Sequence, residues 1–592
     1  MEQKTIKIEE REVIKGYPEL RWTGKRPYKY EQYYPAQLKE KYGQEQDGWL
    51  NKIFWGDNLQ VMGHLIKEFR GKIDLIYIDP PFDSKADYKK KIEIKNIGKT
   101  KGDSSSFEEK QYGDIWTNDG YLQFMYERLY LLKDLLSEKG SIYLHCDWRK
   151  THHLRCVMDE VFGSSNFKNE IIYGYRIQGV GKGFYARKHD TILFYTKTAN
   201  YTFNTEKEDV IYEKPFIDTK VIPPNMEKLT EKDKEEIIKS LNSNLPLKDK
   251  YKALMFNKYF SNVYVRDVWD CDYTKPLISG SKDYLNYPTQ KSEGLLKRII
   301  SVSSNPGDIV LDCFMGSGTT QSVAMKLGRK FIGADINLGA IQTTIKRLIN
   351  VAEELEGQED KFTGFELYNV NNYDFFRNPL EAKQLLIQAL EIQPFPQSSL
   401  WDGELDGRMV KIMPVNRIAT KADLENLKAN MPYKTYEKRK AENPSEPVER
   451  ITIVCMGHEP DLKASFEKDL SEYKFDIDIV DILRDKSDLQ LKRESEVEVV
   501  KEGSKLIIRS FYPMNLMQKL SLQKEYVEDW RQLVEFVMID WNYDGVVMQP
   551  TVRDVPDKNS LVKGIYDIPD NAGTIKVKIT DLLSESLEVE VL

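Results

Sequence analysis

The chain has 592 residues, 40% of them hydrophobic and 31% charged, which is the composition of a globular protein of roughly three or four domains. Its formal net charge of −7 excludes a polycation, so any binding of nucleic acid must come from local basic clusters. The five cysteines form no CxxC pair, so we expect no disulfide and no metal site. No apolar run reaches the length of a membrane span, so we expect no membrane contact and a cytoplasmic protein.

The first half of the chain predicts alternating strands and helices. Residues 1–50 are polar, aromatic and in places basic, and we expect an arm that packs on the next domain, with contact to a nucleic-acid backbone as the alternative. From residue 51 onward, short apolar runs alternate with apolar stripes of helical period. The predicted strands are 51–54, 73–78, 141–144, 169–175 and 190–196, and the predicted helices are 59–69, 122–136 and 149–162.

Residues 176–285 interrupt this rhythm with glycine-rich, charged and aromatic stretches, which predicts an insertion. The alternation then returns, with helices over 290–303 and 338–356 and strands over 308–312 and 331–334. This pattern favours βαβ units. The predicted fold class is α/β, with a doubly wound, mostly parallel sheet over 51–360 that the insertion interrupts. A small α/β domain over 361–490 and a β-rich domain over 491–592 should follow.

A glycine-rich turn between a strand and a helix is the strongest local signal. In DIVLDCFMGSGTT (308–320) the strand ends at Asp312, and Gly316 and Gly318 let the backbone approach a ligand at a helix N-terminus. The next strand ends at Asp335, where a carboxylate can accept hydrogen bonds from ribose hydroxyls. Gln321 replaces the third glycine of a dinucleotide fingerprint, and no GK[ST] follows. A nucleoside cofactor without pyrophosphate, such as S-adenosylmethionine, fits better, and a purely structural turn is the alternative.

A second motif, Asp79-Pro80-Pro81-Phe82, follows the apolar strand 73–78, where open α/β sheets bind their ligands. Asp79 and the Pro80 carbonyl could accept both hydrogens of an exocyclic amine and turn its lone pair toward a methyl donor. The two prolines stiffen the turn, and Phe82 offers a π-face to a base flipped out of a duplex. Asp-Pro is also common in plain turns, but a glycine-rich loop in the same domain favours the catalytic interpretation.

These motifs, in this order, resemble those of the β-class amino-methyltransferases of DNA, and more closely the modification subunits of type III restriction–modification systems. The resemblance covers about residues 50–350, in the segments FWGDNLQVM, DPPF, SIYLHCDWRKTHHLR, YPTQKSEGLLKRII, DCFMGSGTT and FIGADI. The usual adenine motif is DPPY, and Phe82 keeps the stacking surface but lacks the hydroxyl. Cytosine enzymes usually carry Ser in place of Asp79, so Asp79 favours adenine.

The resemblance implies an S-adenosylmethionine-dependent enzyme that methylates N6 of adenine in double-stranded DNA by base flipping. It makes 176–285 the target-recognition domain and gives catalytic roles to Asp79, Pro80, Pro81 and Phe82. The implied cofactor contacts are Asp57, Thr289, Gln290, Lys291, Asp312, Phe314, Gly316, Gly318, Thr319 and Asp335.

Three other functions stay open at this point: a cytosine-N4 methyltransferase, a recognition subunit that mainly docks DNA and a partner, and a nicotinamide-dependent dehydrogenase. The C-terminal region resembles those of type III modification subunits, which implies a partner. No GxxxxGK[ST] motor motif is present, so a separate restriction subunit, with helicase and nuclease, would have to cleave. A homodimer is also expected. His145 should orient a loop near the pocket, whereas the adjacent His152 and His153 point about 100° apart on a helix, which disfavours a metal site.

Overall fold

The computed structural model describes residues 5–7, 19–28, 30–82, 87–93, 106–113, 118–174, 183, 185–212, 230, 232–233, 235–236, 259–269, 285, 287, 289–358, 361–370, 379–396, 399–415, 417–459, 461–482, 495–522, 527–557 and 560–591. Cys271 and much of the predicted insertion lie outside these ranges. None of the helices that the structure describes is long and apolar enough to cross a membrane. Its described residues also hold no cluster of His, Cys, Asp and Glu side chains suited to a metal ion.

A ten-stranded sheet forms the centre of the structure. Its strands, in chain order, are β1 (Ala36–Tyr42), β2 (Asn51–Trp55), β3 (Ile73–Ile78), β4 (Leu136–Cys146), β5 (Phe167–Gly174), β6 (His189–Thr196), β7 (Val268–Trp269), β8 (Ile309–Asp312), β9 (Lys330–Asp335) and β10 (Phe365–Val370). The spatial order is β7-β5-β6-β4-β3-β8-β9-β2-β10-β1. In this spatial order, the six consecutive strands β4-β3-β8-β9-β2-β10 run parallel to one another. Strands β6 and β1 run antiparallel to their neighbours.

Helices cover both faces of this sheet. They are α1 (Asn58–Phe69), α2 (Asn118–Leu135), α3 (Thr151–Phe162), α4 (Glu293–Ser303), α5 (Thr319–Lys326) and α6 (Leu338–Glu354). Side chains alternate along β3, so Ile76 and Ile78 pack with α1–α3 and Leu75 and Tyr77 pack with α4–α6. Burial on both faces explains why the central strands are almost entirely apolar. The predicted doubly wound, mostly parallel α/β fold is therefore confirmed.

Three strands of the large sheet lie across the predicted domain boundaries. Strand β1 lies in the predicted arm 1–50 but pairs with β10 of the large sheet. Strand β10 itself lies beyond 360, the predicted end of the large α/β domain, and inside the segment assigned to the small domain 361–490. Strand β6 falls within the predicted insertion 176–285 but pairs with β4 and β5. Strands β1 and β10 pair with each other across a long stretch of sequence, which no local pattern reveals.

The remaining chain forms smaller sheets. Three two-stranded ladders join Thr5–Lys7 to Tyr30–Gln32, Asp87–Glu93 to Ser106–Gly113, and Lys207–Tyr212 to Tyr259–Tyr264. A five-stranded sheet contains β11 (Gln393–Pro394), β12 (Gly403–Leu405), β13 (Arg408–Ile412), β14 (Glu449–Cys455) and β15 (Phe475–Asp481), with helices α7 (Pro379–Ala389), α8 (Lys421–Ala429), α9 (Tyr433–Glu442) and α10 (Leu462–Asp469).

The C-terminal part holds two antiparallel sheets. Their strands are β16 (Glu496–Glu502), β17 (Lys505–Tyr512), β18 (Val534–Asp540), β19 (Val552–Asp554), β20 (Ile565–Asp567), β21 (Ile575–Asp581) and β22 (Ser586–Val591), and α11 spans Met514–Leu522. This part contacts edge strand β1 of the large sheet. Met548 donates its N–H to Lys39 and accepts one from Lys41, and the buried Lys578 pairs with the buried Glu40.

Candidate active site

Four neighbouring parallel strands lead into acidic residues at one edge of the sheet. In spatial order, β3, β8, β9 and β2 end at or just before Asp79, Asp312, Asp335 and Asp57. The carboxyl ends of parallel strands meet at one edge, which is where open α/β sheets bind ligands. All four side chains line a single cavity of about 380 Å³.

The glycine-rich turn after β8 shapes one wall of this cavity. Gly318 adopts φ +70°, and a Cβ added there would lie 2.5 Å from Cγ2 of Thr344, so only glycine fits. Gly316 adopts φ +53° and donates its N–H to Oδ2 of Asp335 at 2.9 Å. The two glycines therefore let the turn fold tightly between α6 and the end of β9.

The carboxylates at the centre of the cavity are costly to ionise. Burial raises the pKa of Asp312 to about 7, against the hydrogen bonds that it accepts from Phe314 N–H (3.0 Å) and the Thr320 hydroxyl (2.6 Å). The negative charges of Asp79 and Asp335 raise the pKa of Asp312 further. Burial likewise raises the pKa of Asp335 to about 6. Such a cluster favours a ligand that carries positive charge.

A buried arginine organises another part of the cavity wall, beside two aromatic rings. Arg128 on α2 donates to Asn58 Oδ1 at 2.6 Å and to Asp57 Oδ1 at 3.3 Å. Its guanidinium lies 3.4 Å from the ring centroid of Phe124, one helical turn earlier. Phe124 in turn contacts Phe314, with ring centroids 6.1 Å apart. Two aromatic rings beside an acidic hydrogen-bond acceptor form a surface suited to a nucleobase.

The two oxygens of Asp79 have different surroundings. Oδ2 forms an ion pair with Lys291, from the segment just before α4. Oδ1 is buried and has no hydrogen-bond partner among the residues that the structure describes. The ammonium of Lys291 also lies 5.4 Å from the Phe82 ring centroid. A buried acceptor without a partner is costly, so Oδ1 is the position at which a substrate N–H would be most favourable.

The segment before α4 is held against the glycine-rich turn. Thr289 adopts φ +63°, a strained conformation for a β-branched residue, and lines the cavity. The Thr319 hydroxyl donates to the Lys291 carbonyl at 3.4 Å and accepts from Arg347 at 2.8 Å. Arg347 also pairs with Glu293, so this network ties the start of α4 to α5 and α6.

Most of the residues predicted for the site line this cavity: Asp57, Asp79, Pro81, Thr289, Gln290, Lys291, Asp312, Phe314, Gly316, Thr319 and Asp335. Pro80, Phe82 and Gly318 lie beside it without lining it. Sequence reasoning missed Asn58, Tyr77, Phe124, Arg128, Tyr287, Ile336 and Asn337. The spacing of Phe124 and Arg128, four residues apart and off the apolar stripe of α2, was the available signal.

The residues present fit S-adenosylmethionine, which is a nucleoside with a cationic sulfonium and an amino-acid end. The cavity has the volume of a small-molecule site. Its aromatic part suits an adenine ring and its acidic centre suits a cation. Oδ1 of Asp79, which has no hydrogen-bond partner among the described residues, is an acceptor at the same cavity.

Comparison with known proteins agrees with this geometry. A family model for DNA methylases of the N6/N4 type matches residues 73–346. Type II methyltransferase M.EcaI of Enterobacter cloacae is 30% identical over 338 residues, which cover 50% of this chain and 69% of that protein. DNA adenine methyltransferase YhdJ of Escherichia coli K12 is 30% identical over 313 residues, which cover 52% and 85%. The probable type III restriction-modification enzyme HindVI Mod subunit of Haemophilus influenzae is 26% identical over 405 residues, which cover 52% and 51%. The chain thus belongs to the N6/N4 family of S-adenosylmethionine-dependent DNA methyltransferases.

Proposed function

We propose that this protein methylates N6 of adenine in double-stranded DNA, as the modification and recognition subunit of a restriction–modification or defence system. The observation that carries the proposal is the asymmetry of Asp79, whose Oδ2 is held by Lys291 and whose buried Oδ1 has no partner among the described residues. One carboxylate oxygen is thereby fixed by the protein, and the other is left for the substrate.

The turn Asp79-Pro80-Pro81-Phe82, here named the catalytic turn, would act by holding both hydrogens of the adenine amine. Asp79 Oδ1 accepts one N–H and the Pro80 carbonyl accepts the other, so the nitrogen lone pair leaves the ring system and becomes available for attack. Bound S-adenosylmethionine supplies the electrophilic methyl group. The prolines hold the two acceptors in a fixed geometry, which lowers the entropic cost of reaching the transition state. Phe82 would stack on the flipped base.

The other predicted residues divide between the two ends of the cofactor. Asp57 and Phe314 would contact the adenine ring and Asp335 the ribose hydroxyls. Asp312, Gly316, Gly318, Thr319 and the segment Thr289-Gln290-Lys291 would surround the charged methionine end. This division follows the cavity, whose apolar end lies at Phe124 and Phe314 and whose acidic centre lies at Asp312.

DNA would approach the edge of the sheet where the strands carrying the carboxylates end. Trp148 follows β4 there and is 41% exposed. The guanidinium of Arg187, just before the antiparallel neighbour β6, lies 3.5 Å from the Trp148 ring centroid. Aromatic and basic side chains together suit bases and phosphates, and they supply locally the positive charge that the chain lacks as a whole.

The choice of base and of partner rests on different support. Asp79, where cytosine enzymes usually carry Ser, favours adenine, and cytosine-N4 is the alternative product. A relative named as a type III Mod subunit supports a restriction partner, with helicase and nuclease functions, bound through the C-terminal sheets. A homodimer of this chain is proposed on the same resemblance.

Product identity tests the proposal. Purified protein is incubated with labelled S-adenosylmethionine and unmethylated plasmid DNA, which is then digested to nucleosides and separated. We expect label in N6-methyladenine, lost in Asp79→Ala and kept in the control Glu68→Gln, which changes an exposed carboxylate on α1. Label in N4-methylcytosine would overturn the choice of base. No label, with cofactor bound, would refute a methyltransferase that acts without its partner.

A further inference from the structure

A hydrogen-bonded chain of three side chains crosses three neighbouring strands beside the catalytic turn. Asp190 on β6 lies 3.1 Å from Nε2 of His145 on β4, and Nδ1 of His145 lies 2.9 Å from the hydroxyl of Tyr77 on β3. His145 is fully buried and Tyr77 is 2% exposed. Tyr77 also precedes Asp79 by two residues, and both residues line the cavity.

Each contact of His145 uses a different ring nitrogen. A carboxylate oxygen accepts hydrogen bonds, so Nε2 of His145 donates to Asp190. Burial raises the pKa of Tyr77 well above its usual value and keeps its hydroxyl protonated, and this hydroxyl lies within hydrogen-bond distance of Nδ1. Both ring nitrogens of His145 are therefore engaged. A buried imidazole with both nitrogens occupied is poorly placed to take a proton from a substrate.

The same imidazole supports Phe82. The ring planes of His145 and Phe82 are inclined by 28°, with centroids 6.0 Å apart. Tyr173 contacts His145 edge-on, with centroids 5.8 Å apart. The imidazole is thus held beside Phe82 by two hydrogen bonds and by aromatic packing. A phenylalanine has no hydroxyl with which to fix its own orientation, so Phe82 depends on its neighbours for it.

We propose that His145, held by Asp190 and Tyr77, is a positioning residue that orients Phe82 for stacking on the flipped base. This inference rests on the proposed function, because it gives His145 a role only through the aromatic residue of the catalytic turn. It predicts that the planar ring of His145 matters for the rate of methyl transfer, and that binding of the cofactor does not depend on it.

Two substitutions separate the ring from its hydrogen bonds. His145→Gln keeps polar groups at the site but removes the ring, whereas His145→Phe keeps a planar ring and removes both hydrogen bonds. With unmethylated plasmid DNA and labelled S-adenosylmethionine, we expect His145→Gln to lower kcat about tenfold or more, since small misplacements at a reacting centre are that costly. His145→Phe should retain most of kcat. The dissociation constant for S-adenosylmethionine, measured by calorimetry, should stay within about twofold of wild type in both folded variants.

A double-mutant cycle with Phe82→Ala decides whether His145 acts through Phe82. If it does, adding His145→Gln to Phe82→Ala costs less than about twofold in kcat. Equal fold losses with and without Phe82 would overturn the inference. If His145→Gln does not fold, His145→Asn, which also lacks the ring, replaces it, and additive losses there would overturn the inference equally. A wild-type protein that leaves DNA unmethylated would overturn both this role and the proposed function, while an active wild type with additive losses would overturn this role alone.

Discussion

The buried carboxylates predict that acid weakens the binding of S-adenosylmethionine. Burial raises the pKa of Asp312 to about 7 and that of Asp335 to about 6, so both lie within the range of ordinary buffers. A cationic ligand favours the ionised carboxylates, and protons therefore compete with it. Affinity should be full above pH 8 and fall as the pH drops through 7.

The size of the effect follows from these pKa values. If binding requires ionised Asp312, the apparent dissociation constant is multiplied by 1 + 10^(pKa − pH), where the pKa is that of Asp312. This factor is about 11 at pH 6 and about 1.1 at pH 8. Asp335 adds about a factor of two at pH 6. The wild-type dissociation constant should therefore increase about 20-fold between pH 8 and pH 6.

Calorimetric titration of wild type and Asp312→Asn at pH 6, 7 and 8 measures this dependence. Asparagine can still accept from Phe314 N–H and can donate to the Thr320 hydroxyl, so the turn should keep its shape. Titration of the cofactor's own amino group is common to both proteins and cancels in the comparison. The variant should retain only the roughly twofold contribution of Asp335. An equal pH dependence in both proteins would refute the reasoning.

Three further predictions concern single contacts. Arg128→Ala should weaken cofactor affinity about tenfold or more, because the charge-assisted hydrogen bonds that hold Asn58 and Asp57 in the cavity wall are lost. Arg128→Lys, in the same titration, should recover only part of the affinity. Gly318→Ala should destabilise the fold by about 2 kcal/mol or more in urea unfolding, and Thr344→Ala in the same chain should relieve the clash but not the strained φ. Lys578→Met should lower the free energy of unfolding by about 3–5 kcal/mol, because Glu40 is left buried without its cation. The double variant with Glu40→Met should recover much of that loss. Full stability of the single variant in urea unfolding would contradict this account.

The acidic strand ends of the candidate site could be predicted from sequence because their signals are local. Asp79 and Asp312 each follow a short apolar run and precede a turn of unusual composition, and the predicted strand 73–78 matches β3. The helix predicted over 290–303 corresponds to α4, which begins at Glu293. Parallel topology then places these strand ends at one edge, so knowing the strands was enough to bring the acidic residues together.

Contacts made across the chain could not be predicted in this way. Arg128 reaches the cavity from a helix about 70 residues after Asn58, and its position off the apolar stripe of α2 does not by itself show that it meets the strand ends. The ion pair between Lys291 and Asp79 joins positions 212 residues apart, and the resemblance had implied only a cofactor role for Lys291. Strand β4 also begins at Leu136, ahead of the predicted start at 141, and pairs there with Ile73 of β3.

The contact of Met548 with β1 has a practical consequence for anyone who wants the methylating part in isolation. Strand β1 is the outermost strand of the large sheet, and the backbone groups of Lys39 and Lys41 are satisfied by Met548. Deleting the C-terminal sheets would bare these groups along a seven-residue strand and expose the charge of Glu40. A shortened protein of this kind should self-associate through that edge. Aggregation of the shortened protein would then result from the uncovered strand β1 and would not indicate a defect in the cavity.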